Sequence, residues 1–216
     1  VLVLHGGRAR STEPTSAWQL AYRRMVPIAN AVHRSAADDG TAVWLLRNRV
    51  RGWNEPDRDP VLDARWALDR IRERHPGCRV VLVGHSMGGR AALRVAGDDD
   101  VVGVCALAPW VEPAEPVDQL AGRQVLIAHG DQDRWTDPGR SYEYARRATR
   151  VTDRVCRFEV HGSGHTMLNR AADWTGLVRA FVQGATAAAP MHPAILVAMH
   201  DTGGADLRRP LPAGLW

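Results

Sequence analysis

Residues 79–89, "RVVLVGHSMGG", decide how the chain is read. A β-branched apolar run ends abruptly in Gly84-His85-Ser86-Met87-Gly88-Gly89. "VVLV" predicts a buried strand, and "RAALRVAG" beyond the glycines predicts a helix. A strand that turns into a helix within a few residues brings backbones close together, and Gly84 and Gly88 leave room for that approach. Ser86 would then be strained, with its hydroxyl exposed at the helix N-terminus. The competing reading is an ordinary strand–helix turn, of the kind that binds phosphate. Without lysine or a G-x-G-x-x-G pattern, that reading has little support.

A serine hydroxyl is a poor nucleophile unless a base takes its proton. The chain has nine histidines. His165, in "EVHGSGHTML", falls between the last predicted strand and the last predicted helix, at the same sheet edge as Ser86. His161 lies closer to the strand end, and His5, His85 and His129 sit at strand ends where a structural role is expected. A carboxylate to orient the base should come from another loop on that edge. "VLIAHGDQDRWTDP" offers Asp131, Asp133 and Asp137. The G-x-x-D spacing of Gly130 and Asp133 favours Asp133. Asp131 suits a turn, and Asp137 before Pro138 suits a helix cap.

Further out, predicted strands at 1–5, 41–47, 79–84, 101–107, 124–129 and 155–160 alternate with helical patterns. The helices are expected at 17–38, with a kink at Pro27, at 60–75 behind an Asp59 cap, and at 87–96, 139–150 and 166–183. This alternation predicts an α/β fold: a mostly parallel sheet of about six strands with helices on both faces. Residues 1–184 read as one domain. Residues 185–216 change character, with a linker-like "GATAAAP", an apolar "AILVAM" and a loosely ordered "LRRPLPAGLW". The apolar piece needs a partner, as an added strand, a docked tail or an oligomer contact.

The bulk numbers agree with one domain: 216 residues, 45% hydrophobic and 24% charged. No apolar run approaches the roughly 20 residues of a membrane span. Val1 opens directly into "VLVLHGG" without an initiator Met or signal peptide, so a trimmed start is expected. The net charge is +4, and all 28 basic residues are arginine. Lysine-based Schiff-base and Walker-type phosphate chemistry are thereby excluded. The arginines alternate with acids, as in "LDARWALDRIRERH", which predicts solvated helix faces rather than a nucleic-acid surface. Cys78, Cys105 and Cys156 are far apart and odd in number, so free thiols in a reducing, cytoplasmic setting are expected, without zinc or disulfides.

The chain order Ser86, Asp133, His165 is that of the α/β-hydrolases. Across residues 1–183 the chain resembles that superfamily. The motifs are "VLVLHGG", "VGHSMGG", "LIAHGDQD" and "GSGHTML", each tied to a predicted strand end. The resemblance implies Ser86 as nucleophile, His165 as general base and Asp133 as orienting acid. It implies an oxyanion hole from the backbone N–H of Met87 and of Gly7, with Arg8 as the neighbouring candidate. It also implies that the first and third strands are neighbours. Two features of many relatives depart from the pattern: the N-terminal hairpin is expected to be absent or trimmed, and no substantial helical lid is expected, since only about a dozen residues separate the fourth and fifth strands. A small, lidless serine hydrolase that cleaves carboxylic esters through an acyl-enzyme is expected, with no metal or cofactor. Thioesterase, acyltransferase or peptidase chemistry would use the same triad, and a non-catalytic binding protein is the remaining class. For the substrate pocket, Trp53, Trp110, Trp135 and Met167 are candidates, and Arg8, Arg47 and Arg51 could receive an anionic group. The expected partner is a small-molecule ester or thioester, small or extended rather than a buried lipid chain.

Overall fold

A computed structural model describes residues 1–36, 38–201 and 207–214. In chain order the elements are β1 (Leu2–Leu4), α1 (Leu20–Ala36), β2 (Trp44–Leu46), α2 (Asp59–Arg74), β3 (Val80–His85) and α3 (Met87–Val95). They continue with β4 (Val101–Leu107), β5 (Gln124–Gly130), α4 (Pro138–Ala148), β6 (Val155–Val160), α5 (Ala171–Thr186), α6 (Pro193–His200) and β7 (Arg209–Pro210). The sheet order is β2-β1-β3-β4-β5-β6-β7, and every pairing is parallel. β1 therefore lies beside β3, with Leu4 opposite Gly84.

Side chains alternate between the two faces of the strands. Leu2, Leu4, Leu82, Val104 and Ile127 meet α2, α3 and α4 on one face. Val3, Val81, Val83, Leu126 and Phe158 meet α1, α5 and α6 on the other. That two-sided burial is why the strands read as continuous apolar runs. Cys105 and Cys156 belong to the second layer, and burial pushes both thiols up.

Several boundaries differ from expectation, each for a local reason. α1 begins at Leu20 rather than 17, because Ser16 first closes a turn onto the Trp18 and Gln19 amides. It passes through Pro27 without ending. Asp59 is the first residue of α2 rather than its cap; Arg58, at φ 55°, occupies the cap position. The Asp59 carboxylate instead accepts from Asn54 Nδ2 at 2.9 Å and Arg49 Nη2 at 3.1 Å. α5 starts at Ala171 rather than 166, which leaves a longer loop around His165. Asp137 does cap α4, accepting from the Gly139 amide at 2.7 Å.

"AILVAM" is neither a strand nor unattached. It forms α6, with Ile195, Ala198 and Met199 buried against the sheet's second face. β7 adds a seventh, two-residue strand to the edge of β6, and the Leu211 amide donates to the Glu159 carbonyl at 2.8 Å. Between β4 and β5, residues 108–123 hold only a single 3-10 turn at Asp118–Leu120, so this connection contains no lid. No helix among the described residues is long and apolar enough to cross a membrane.

Candidate active site

β3 ends at His85, and α3 begins at Met87, so Ser86 alone makes the turn. Its φ of 56° and ψ of −120° lie in a region that non-glycine residues avoid, and the fold holds it there. Gly88 permits the turn: a Cβ there would meet the Leu4 and His5 carbonyl oxygens at 2.5 Å. The result is a hydroxyl lifted from the carboxyl edge of the sheet, beside the unpaired first amides of α3.

His165 arrives from the loop after β6, with Nε2 2.9 Å from Ser86 Oγ. Its Nδ1 lies 2.7 Å from Oδ2 of Asp133, in the loop that follows β5. A carboxylate only accepts, so the proton belongs on Nδ1 and the Nε2 lone pair faces the serine. The Trp135 and Thr136 amides donate to Asp133 Oδ1 at 2.8 and 3.0 Å, and the Thr136 hydroxyl donates to Oδ2 at 2.8 Å. Burial opposes ionisation of Asp133. The bonds from His129, His165, Thr136 and Trp135 outweigh it and hold the carboxyl well below the usual carboxylate range.

Two further histidines support this arrangement. His129 is buried, and its Nε2 donates to Asp133 Oδ2 at 3.2 Å. Its Nδ1 accepts from the Ser141 hydroxyl at 2.8 Å, and Arg157 Nε donates to Ser141 Oγ at 3.3 Å. His85 Nε2 donates to the His165 backbone carbonyl at 2.9 Å, which fixes the loop that carries the base. Burial, aided by the neighbouring His165, pushes His85 down to about 3, so it is neutral near pH 7. His5 donates from Nδ1 to the Gly6 carbonyl at 2.6 Å and pins the "HGG" loop. The other acids lie elsewhere. Asp131 pairs with exposed His161 at 3.0 Å, and Asp137 is occupied as a cap.

Gly7 packs on Met87, and a Cβ on Gly7 would meet the Arg51 carbonyl at 2.4 Å. The Arg8 amide is already committed to that same Arg51 carbonyl at 2.8 Å, whereas Gly7 lines the cleft that opens above Ser86. This cleft has a volume of about 430 Å³. His85, Ser86 and His165 contribute to its lining, and α1 supplies one wall through Leu20, Ala21, Arg23, Arg24 and Pro27. Trp135, Thr166 and Leu168 line the rest.

Of the candidate pocket residues, only Trp135 lines this cleft, its ring 5.2 Å from the His165 ring. Trp53 and Trp110 turn onto the Arg90 guanidinium, at 4.1 and 4.8 Å, and Arg90 is itself paired with Glu115. Their indole N–H groups donate to Glu55 and Glu112. Met167, at φ 55°, points into the core and is fully buried. Arg8 is exposed beyond the cleft, Arg51 pairs with Glu13, and Arg47 lines a separate surface concavity. The α1 wall, Thr136 and the rear histidine His129 had no part in the sequence reading of the site. Among the described residues, no group of three or more His, Cys, Asp or Glu side chains is placed to hold a metal ion.

Comparison with known proteins agrees with this architecture. The model of the alpha/beta hydrolase family matches residues 1–201, and the chain belongs to that family. A lidless α/β serine hydrolase from Xanthomonas campestris superposes with a TM-score of 0.61 at 20% identity, covering 89% of this chain and 83% of its own. An alpha-beta serine hydrolase homologue from Coxiella burnetii gives 0.62 at 16% identity, with 82% of each chain covered. An esterase from Pyrococcus furiosus gives 0.63 at 15%, covering 84% of this chain and 79% of its own. No curated protein sequence matches.

Proposed function

We propose that this protein hydrolyses carboxylic esters through Ser86, His165 and Asp133. The observation that carries the reading is the continuous line from Ser86 Oγ through His165 to Asp133, at 2.9 and 2.7 Å, on a strained elbow. His165 Nε2 takes the serine proton as Oγ attacks the acyl carbonyl, and Asp133 stabilises the imidazolium that forms. The Met87 and Gly7 amides receive the oxyanion. Each such donor contributes about 3–4 kcal/mol to the transition state. His165 then protonates the leaving alcohol, and water, deprotonated by the same histidine, releases the acid.

The esterase among the similar structures supports ester chemistry over the other acyl transfers. The three cysteines are free, two of them buried, which supports a cytoplasmic protein. Turnover of a matched aryl acetate, thioacetate and anilide by the wild-type protein tests the reading. Release of the phenol with little cleavage of the anilide is expected. A thioester preference well above its intrinsic reactivity would move the assignment to thioesterase, and no cleavage of any of the three would contradict it.

A further inference from the structure

The cleft combines an apolar lining with an unbalanced charge. Leu20 is 83% exposed, Trp135 74% and Leu168 67%, all around one opening. Large apolar side chains left in water around a cleft mark a binding surface. Arg23 and Arg24 stand in the same wall, and no Asp or Glu lines the cleft among the described residues. Neither arginine has a carboxylate partner among those residues, although ion pairs cover much of the remaining surface. Arg24 is only partly exposed, and its Nε donates to the Thr166 carbonyl at 2.5 Å and its Nη2 to the Met167 carbonyl. Burial disfavours its charged form. Carbonyl dipoles hold the group in place without neutralising it. Arg23 is exposed, with its guanidinium 5.8 Å from the Trp18 ring.

The chemistry fixes which half of a substrate meets these arginines. His165 Nε2 must reach the leaving oxygen to protonate it, so the alcohol half lies on the His165 side. That side carries Thr166, Leu168 and the Arg24 clamp. We infer that the cleft selects esters whose alcohol half bears a carboxylate, with Arg23 as its contact and Arg24 supplying the field beside it. This inference rests on the ester-hydrolase reading and adds a substrate class to it. A guanidinium fork matches a carboxylate in geometry, and a charge-assisted bond is stronger than a neutral one. The apolar body of the alcohol would lie on Leu20, Leu168 and Trp135.

The test is calorimetric binding to the Ser86→Ala protein, which leaves the ligand intact. The two ligands are 4-acetoxyphenylacetate and its neutral counterpart, 4-acetoxyphenylacetamide. The carboxylate should bind about ten-fold more tightly. That ratio should fall toward one in the Arg23→Gln/Ser86→Ala double variant, and in about 0.5 M salt, where exposed charges are screened. Equal affinity for the two ligands overturns the inference, as does a preference that neither Arg23→Gln nor salt reduces. Wild-type turnover separates the two claims: a carboxylate preference in binding with no hydrolysis of either ester removes the hydrolase reading and leaves the anion site standing.

Discussion

Replacing Asp133 with asparagine tests the acid by changing one atom. Asp133 Oδ1 accepts two backbone amides, from Trp135 and Thr136, so the asparagine oxygen must take that position. The opposite orientation would aim an NH₂ at two amide donors and leave them unsatisfied, at about 1–3 kcal/mol each. The new NH₂ therefore replaces Oδ2, 2.7 Å from His165 Nδ1. It can only donate there, so Nδ1 must accept and the ring proton moves to Nε2. Nε2 faces Ser86 Oγ at 2.9 Å and can no longer take its proton. A wrong tautomer of this kind costs about 10⁴ in kcat, or roughly 5.5 kcal/mol. Hydrolysis of p-nitrophenyl acetate near pH 7.5 measures it, with Asp131→Asn as the control. Asp131 faces exposed His161 instead, and its variant should keep wild-type kcat within about two-fold. An Asp133→Asn enzyme within ten-fold of wild type, or an equal loss in Asp131→Asn, would remove Asp133 from the role of orienting acid.

Two further outcomes follow from packing and burial. Gly88→Ala forces a Cβ to 2.5 Å from the Leu4 and His5 carbonyl oxygens at the carboxyl end of β1, and should cost about 3 kcal/mol or more together with activity. At Gly164 a Cβ finds its nearest neighbour at 3.5 Å, so Gly164→Ala should stay within about 1 kcal/mol by denaturant titration; similar values for the two would contradict the elbow geometry. His85 is held neutral in the fold, with its value lowered to about 3, while the unfolded chain protonates near 6.5. Between those values the unfolded state binds more protons, so stability falls as pH drops, by up to about 1.4 kcal/mol per unit from this residue. Thermal melts from pH 7 to 4 should show a shallower acid slope for His85→Gln, and an unchanged slope would exclude His85 as its source.

The strands, the elbow and the order of the three candidate catalytic residues were legible because each is a local pattern. An apolar run ending in Gly-x-Ser-x-Gly specifies its own turn, and the acid and base loops follow strands directly. The cleft was not legible in the same way. Its α1 wall depends on where a helix lands across the sheet, and Leu20 and Arg24 carry no signal of that in sequence. Trp53 and Trp110 read as pocket walls because they follow strands, but a buried guanidinium on α3 offers both rings a partner. Met167 reads as a lining residue from its nearness to His165, yet its positive φ turns it inward. "AILVAM" had too short a pattern to separate strand from helix, and only the free face of the sheet decides it. His129 reads in sequence as a strand-end residue, and its donation to Asp133 needs the three-dimensional register of β5 with the acid loop.

If Ser86 is the nucleophile, a fluorophosphonate probe should find it, because the probe phosphonylates only an activated serine. One label per wild-type chain is expected, located at Ser86 by peptide mass analysis, and none on Ser86→Ala. Equal labelling of the two proteins, or a folded wild-type protein that takes no label, would contradict it.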